Sequence, residues 1–139
     1  MHVSDKDKKS IVDALRRDIP QLQAVYIFGS QQDDTATSES DIDIAYLSTR
    51  VLDPVQRWDI AQRLASMLLR DVDLVDLGQT DTIFRYQILS KGTRIYGAGY
   101  EVESFETLAY SFYLRFQEER RPIVEGIMKN KSVLGGVYA

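Results

Sequence analysis

The chain has 139 residues, 44% of them apolar and 27% charged, and a net charge of −4. This length fits one domain with one core, and the acidic balance argues against broad binding to a nucleic-acid backbone, which needs a basic face. Cysteine is absent and His2 is the single histidine, which excludes disulfides, thiol nucleophiles and histidine-rich metal sites and argues against serine-hydrolase chemistry.

The N-terminal segment MHVSDKDKKS is charged and lacks the apolar centre of a secretion signal. The longest apolar stretches are too short to span a bilayer. We therefore expect a cytoplasmic protein with no membrane contact, and the lack of cysteine is consistent with a reducing compartment.

The first predicted element is a helix from Ser4 to about Ile19. Ser4 and Asp7 have the spacing of a capping box, apolar residues recur on one helical stripe, and Pro20 closes the segment. Residues 24–28 form an apolar and aromatic run, which predicts a buried strand.

Polar residues then fill positions 31–40, which predicts an exposed loop. Residues 41–47 alternate and predict a strand. A helix is predicted from Asp53, an N-cap before Pro54, to about Arg70. Its predicted apolar side consists of Val55, Trp58, Ala61, Leu64, Ala65 and Leu68.

The remaining elements are a strand over 72–77, a short helix over 80–90 that ends at Gly92, and a short strand over 93–96. A helical pattern resumes near residue 101, and Pro122 is expected to break or kink it. Its apolar positions are Val102, Phe105, Leu108, Ala109, Phe112 and Phe116. The tail from Ser132 to Ala139 is expected to be mobile.

These elements predict an α/β (α+β) fold in which a small mixed sheet is flanked by helices. Residues 1–98 are expected to form the core, and residues 99–139 a helical extension of the same domain. The order of the strands does not follow from the pattern.

A pair of aspartates carries the first chemical signal. Alternate side chains on a strand share a face, so Asp41 and Asp43 project together while Ile42 and Ile44 face the core. Two carboxylates on one face repel each other, and a hard cation such as Mg²⁺ relieves the repulsion and shares its ligands with substrate phosphates.

A third carboxylate is expected from the strand Asp71-Val72-Asp73-Leu74-Val75-Asp76. Asp73 is the preferred candidate and Asp71, on the same face, is its rival, whereas Asp76 should point the other way. Three carboxylates can hold two metal ions, one to activate an acceptor hydroxyl and both to brace the transferring phosphorus.

Gly29 and Ser30 follow the first predicted strand directly. Glycine permits close approach of the backbone to a phosphate, and a hydroxyl with N–H groups at a turn can hold phosphate oxygens. Phosphoryl transfer depends on positioning and charge neutralisation, so a site without histidine or cysteine is adequate.

The pattern Gly29-Ser30, ten residues, then Asp41-x-Asp43 resembles the signature of the DNA polymerase β-like nucleotidyltransferases. Four such positions match by chance on the order of once per 10⁵ starts at average residue usage. The resemblance covers about residues 20–97 and implies the polymerase β-like nucleotidyltransferase core. It also implies that the paired aspartates bind metal and that a later strand supplies the third carboxylate, a role that falls on Asp73.

The short chain resembles the minimal nucleotidyltransferases, the antitoxin partners of HEPN ribonuclease toxins. That resemblance implies an enzyme that uses ATP and Mg²⁺ to transfer AMP onto a tyrosine of the toxin and so neutralises it. The alternatives are a transferase for a small molecule or an RNA end, and a non-enzymatic antitoxin that acts by binding alone. The base preference, the number of nucleotides transferred, the acceptor residue and the oligomeric state stay open.

Several basic residues are candidates for the triphosphate, although charged helix faces are usually solvated. The candidates are Arg16, Arg17, Arg57, Arg63, Arg70, Arg85 and Lys91. Aromatic residues of the last helix favour helix packing over a nucleobase platform, with a partner interface as the alternative. They are Tyr110, Phe112, Tyr113 and Phe116.

Overall fold

The computed structural model describes residues 3–29 and 41–134, and side chains up to residue 119. The elements in chain order are α1 (Asp5–Asp18), β1 (Leu22–Phe28), β2 (Ile42–Ser48), α2 (Pro54–Leu68), β3 (Val72–Asp76), α3 (Thr82–Lys91), β4 (Thr93–Tyr96) and α4 (Tyr100–Leu134).

The strands form one sheet in the order β3-β2-β1-β4. β2 and β3 are parallel, with Asp43 opposite Asp73, whereas β1 is antiparallel to β2 and to β4. The sheet is therefore mixed, and the predicted α+β class is confirmed. The carboxyl end of β1 lies beside the amino ends of β2 and β3.

Two apolar clusters cover the two faces of this sheet. On one face, residues of α1 and α2 pack against Ile27, Ile42 and Ile44. On the other face, Ile88 of α3 and Val102 of α4 belong to the cluster that contains strand residues. The strand residues of this second cluster are Ala24, Tyr26, Phe28, Ala45 and Leu47. Alternation along the strands assigns each side chain to a face.

Local capping explains where the helices begin. The Ser4 hydroxyl accepts a hydrogen bond from the Asp7 N–H, and Asp53 and Gln56 form a reciprocal capping box ahead of Pro54. Both predicted N-caps are thereby confirmed. Gly92 ends α3, as predicted, and its N–H bonds to the Ile88 carbonyl.

The predicted apolar side of α2 is partly wrong. Val55 and Trp58 are 69% and 61% exposed, whereas Ile60, Ala61 and Leu64 are buried. The helix turns the second half of its length toward the sheet. The periodicity of apolar residues shows which side of a helix can be buried, but it does not show how much of the helix length the sheet covers.

The predicted break at Pro122 is also wrong, since α4 runs as one helix from Tyr100 to Leu134. Proline removes one helical N–H and crowds the preceding turn, yet the helical backbone continues past it here. The first three residues of the predicted tail, 132–134, belong to this helix. The predicted loop over 31–40 lies outside the described residues.

Across residues 3–29 and 41–134, no helix combines the length and the apolar character needed to cross a bilayer.

Candidate active site

Three chain segments bring the predicted acidic residues to one edge of the sheet. β1 ends at Phe28 beside the first residues of β2 and β3, and Gly29 follows at the turn. We call the group formed by Gly29, Asp41, Asp43 and Asp73 the acidic edge. The opposite end of the sheet, where β2 and β3 finish, is called the far end.

Asp43 lies at the centre of the acidic edge. It pairs with Phe28 on one side and Asp73 on the other, and directly opposite residues point to the same face. Asp43 is half-buried while Asp41 and Asp73 are exposed. Burial raises the pKa of the Asp43 carboxyl, and the charges of Asp73 and then Asp41 raise this pKa further. The three carboxylates therefore repel one another across the site.

The register also distinguishes Asp71, which precedes β3, from the two aspartates of that strand. Asp73 lies directly opposite Asp43 and is the β3 aspartate whose charge affects the pKa of Asp43. The Asp71 carbonyl accepts a hydrogen bond from the Ile42 N–H, which starts the parallel ladder. Asp76 is buried opposite Tyr46, on the other face.

Gly29 has a positive φ of 75°, a conformation that favours glycine. A β-carbon added there would overlap the Asp43 carboxylate. The turn therefore brings the backbone directly against the Asp43 carboxylate. The neighbouring Ser30, predicted as a phosphate ligand, lies outside the described residues.

The carboxylate oxygens of the acidic edge are the kind of ligand that a hard cation such as Mg²⁺ prefers. Burial and then the charges of Asp73 and Asp41 raise the pKa of Asp43, and a bound cation relieves the repulsion between these charges while it accepts oxygen ligands. Within the described part of the chain, no three acidic or histidine side chains are gathered closely enough to form a complete metal site. The carboxylates share one face of the sheet, but their side chains are too far apart among the described residues to form a tight cluster.

Several predicted basic candidates lie away from the acidic edge. Arg85 donates to the carbonyl oxygens of Leu77, Gly78 and Thr80 at the far end, at 2.8, 3.3 and 3.0 Å. Its guanidinium also lies over the Phe105 ring. Arg85 therefore holds the loop after β3, a role that its position in the sequence did not indicate.

Other arginines have similar structural roles. Arg17 and Arg63 form ion pairs with Asp18 at 3.2 and 3.7 Å, and Arg16 lies over the Tyr96 ring.

A polar network that the sequence pattern did not single out fixes α4 on the sheet. The Tyr26 hydroxyl donates to Glu106 at 2.7 Å, and the Arg94 guanidinium donates to the same carboxylate oxygen at 3.0 Å. Burial raises the pKa of Tyr26, and the hydrogen bond to Glu106 raises it further. No spacing rule links positions 26, 94 and 106, since only the folded chain brings them together.

The aromatic residues of α4 pack mainly on α3. Tyr113 stacks on Tyr86 with ring centroids 3.7 Å apart, and Tyr110 meets Tyr86 edge-on at 5.5 Å. Helix packing was the favoured interpretation of these two residues and is confirmed. Phe112 is 46% exposed and does not share this packing.

Comparison with known proteins agrees with this geometry. Residues 9–100 match the family model described as polymerase beta, nucleotidyltransferase. The protein adenylyltransferase MntA of Shewanella oneidensis is 40% identical over 124 residues, which is 89% of each chain.

Two solved structures are similar over most of the chain. One is a tri-AMPylated Shewanella oneidensis HEPN toxin in complex with MNT antitoxin, with 38% identity, a TM-score of 0.75, and coverage of 88% of this chain and 97% of that one. The other is a toxin–antitoxin structure with AMP-PNP, with 40% identity, a TM-score of 0.78, and coverage of 87% and 98%.

The family model spans the acidic edge and every strand of the sheet, and the relative of known activity aligns over nearly the whole chain. This chain therefore belongs to the polymerase β nucleotidyltransferase family.

Proposed function

We propose that this chain is a Mg²⁺-dependent protein adenylyltransferase that transfers AMP from ATP onto a tyrosine of a HEPN-family toxin and thereby acts as its antitoxin. The observation that carries the proposal is the register that sets Asp43 opposite Asp73, beside the Gly29 turn. The similarity to MntA and to complexes of an AMPylated toxin supports the choice of nucleotide and acceptor.

The reaction joins the tyrosine oxygen to the α-phosphorus of ATP. The bond between this phosphorus and the oxygen that bridges to the β-phosphorus breaks, and pyrophosphate leaves with the electron pair. In our proposal the Asp73 carboxylate accepts the tyrosine proton and releases it to solvent. A tyrosine with an ordinary pKa of about 10 needs such help at neutral pH.

The other residues of the acidic edge hold the nucleotide. Asp41 and Asp43, with Asp73, would ligate two Mg²⁺ ions, which supply charge neutralisation at the α-phosphorus and lower the pKa of the acceptor hydroxyl. The lack of a side chain at Gly29 lets the turn lie against the Asp43 carboxylate, and Ser30 would supply a hydroxyl donor to a phosphate. The repulsion between Asp43 and the two neighbouring carboxylates favours the binding of cations at this site.

The position of α4 supports a protein acceptor. Its first turn lines a cavity with Leu22 and Gln23 at the start of β1, and Glu106 bonds Tyr26 further along that strand. α4 therefore runs beside β1 toward the acidic edge. Residues after Tyr113 add about 30 Å of helix at 1.5 Å per residue.

The surface of α4 is suited to contact with another protein. Leu108, Phe112 and Leu114 are 54%, 46% and 61% exposed. Exposed large apolar side chains on a helix beside a catalytic site are typical of an interface. An acidic chain with a charge of −4 also favours encounter with a basic ribonuclease.

The test is to co-express the chain with a HEPN-family toxin, purify the complex and measure the mass of the toxin. We expect the toxin to gain whole AMP units on tyrosine with the wild-type chain and none with the Asp41→Ala, Asp43→Ala double variant. Toxicity in cells should return with the same variant. An unmodified toxin that the double variant neutralises equally well would leave inhibition by binding alone.

A second comparison identifies the third carboxylate. Asp73→Asn is expected to lower transfer more than ATP binding, because it removes the proton acceptor but leaves the metal ligands Asp41 and Asp43. Asp71→Asn is its matched control, two residues earlier in the chain. Active Asp73→Asn beside inactive Asp71→Asn would reverse the assignment.

A further inference from the structure

The basic residues of the fold are unevenly placed relative to the acidic edge. Arg85 bonds to loop carbonyls at the far end, and Arg57 lies at the amino end of α2, beside Tyr46 and Asp76. A triphosphate at the Gly29 turn is therefore out of reach of both guanidinium groups.

Lys91, in contrast, is carried to the acidic edge by the end of α3. It occupies the last turn of this helix and its side chain is exposed. The next residue, Gly92, packs so tightly that an added β-carbon would lie 2.9 Å from the Ile27 carbonyl oxygen and 3.2 Å from the Phe28 β-carbon. The end of α3 is thus held against the last two residues of β1, directly before Gly29.

The face of the sheet is also the right one. Phe28 and Asp43 are directly opposite and project to the same face. Phe84 of α3 packs edge-on against the Phe28 ring, with centroids 5.8 Å apart. α3 therefore covers the face on which Asp43 lies, next to the open part of the acidic edge.

Arg70 reaches the same end of the sheet from the other side. It follows α2, whose Ile60 and Leu64 pack with Ile42 and Ile44 on the opposite face. Lys91 starts from the element that covers the face of Asp43, whereas Arg70 starts from the element that covers the opposite face.

We propose that Lys91 binds the β- and γ-phosphates of the nucleoside triphosphate, an inference that rests on the proposed transferase function. As the bond between the α-phosphorus and the bridging oxygen breaks, negative charge accumulates on the departing pyrophosphate. The Lys91 ammonium neutralises this charge and gives the site its preference for triphosphates over monophosphates.

The test measures binding of labelled ATP, of inorganic pyrophosphate and of AMP to the full-length chain in Mg²⁺, without any acceptor. Lys91→Met is expected to weaken ATP and pyrophosphate binding at least about tenfold, since a charged hydrogen bond contributes more than the ~1.4 kcal/mol that a tenfold change in affinity represents. AMP binding should not change, because AMP lacks both outer phosphates. Lys91→Arg should restore most of the lost affinity.

A lysine in the last turn of a helix also stabilises the helix through its dipole. The AMP measurement separates this role from phosphate binding, because a weakened helix would lower the affinity for all three ligands. Lys9→Met replaces an exposed lysine on α1, on the other face, and should change none of the three affinities. Equal ATP and pyrophosphate affinities in wild type and Lys91→Met would overturn the proposal, as would an equal loss for AMP. Because no acceptor is present, a wrong acceptor assignment leaves this result unaffected.

Discussion

Asp73 and Asp76 lie three residues apart on β3, yet they belong to two regions with opposite electrostatics. Asp73, at the acidic edge, is exposed and adds to the repulsion at Asp43. Asp76, at the far end, is 5% exposed and accepts a hydrogen bond from the Gly78 N–H at 2.9 Å.

The far end as a whole is closed by internal hydrogen bonds. The Ser48 hydroxyl donates to the Pro20 carbonyl, Thr49 bonds to Gln21, and Arg85 holds the loop after β3. Polar groups there stabilise the fold, because their partners belong to the protein. At the acidic edge the charges of Asp73 and Asp41 act against the charge of Asp43, so a bound cation would stabilise the site.

The largest expected effect is loss of transfer in Asp43→Ala. We expect at least about a hundredfold lower rate of AMP transfer, the size typical of removing one group that stabilises the transition state. The free energy of unfolding should stay equal or rise, because the repulsion from Asp73 and Asp41 disappears. Mass spectrometry of the toxin and urea unfolding measure the two quantities.

Asp13→Ala is the control for this variant, since Asp13 is exposed on α1. It should alter neither transfer nor unfolding. A strongly destabilised Asp43→Ala would mean that this carboxylate, like Asp76, stabilises the fold.

Gly29→Ala is expected to reduce both the rate of AMP transfer and the free energy of unfolding. The positive φ disfavours alanine by about 1–2 kcal/mol, and the new methyl group would overlap the Asp43 carboxylate. Gly99→Ala is a matched control, because Gly99 has a φ of 99° and open space around the added carbon. The control should lose stability alone, and equal transfer rates in the two variants would contradict the role of Gly29.

Asp76→Ala should lower stability and leave AMP transfer intact, which is the opposite of the result expected for Asp43→Ala. Loss of the hydrogen bond from the Gly78 N–H to the buried Asp76 carboxylate is expected to lower the free energy of unfolding by about 1–3 kcal/mol. Transfer per folded molecule should persist, because Asp76 lies on the other face from the acidic edge. Asp76→Asn, which keeps an acceptor oxygen, should lower the free energy of unfolding less than Asp76→Ala does. A folded but inactive Asp76→Asn would show that the two regions are coupled.

The smallest effect concerns Tyr46 at the far end. Burial raises the pKa of Tyr46 to about 12, and the charge of Asp76 raises it too. Because this pKa exceeds the unfolded value of about 10, its contribution to stability is complete below about pH 10 and is lost as the pH rises toward about 12. Tyr46→Phe should therefore show a shallower fall in the urea midpoint over that range.

At neutral pH this variant should differ by less than about 1 kcal/mol, because the Tyr46 hydroxyl is buried without a well-formed hydrogen bond among the described residues. A parallel fall of both proteins above pH 10 would assign the alkaline loss to other groups, such as Tyr26, whose pKa is also raised.

Local signals in the sequence predicted most elements and the centre of the site. The caps at Ser4 and Asp53 are short-range hydrogen bonds, and they formed where the pattern placed them. The alternation over 41–47 correctly placed Ile42 and Ile44 in the core, because strand geometry alone sets that periodicity.

Long-range packing is where the local patterns were insufficient. Val55 and Trp58 share the helical spacing of core residues but are exposed, since the sheet covers only part of α2. Arg85 was a candidate phosphate ligand by its charge, and its contacts with loop carbonyls emerged only from the fold. α4 likewise continues as one helix through Pro122, where the pattern predicted a break or kink.

The sequence by itself determined the Gly-Ser and Asp-x-Asp pattern and the shared face of Asp41 and Asp43, because strand periodicity is local. Only the tertiary structure decided between Asp71 and Asp73 as the neighbour of Asp43, because the register of parallel strands is set by packing across the sheet. The tertiary structure also carried the end of α3 to the acidic edge, since the close fit of Gly92 against β1 is a contact between distant parts of the chain.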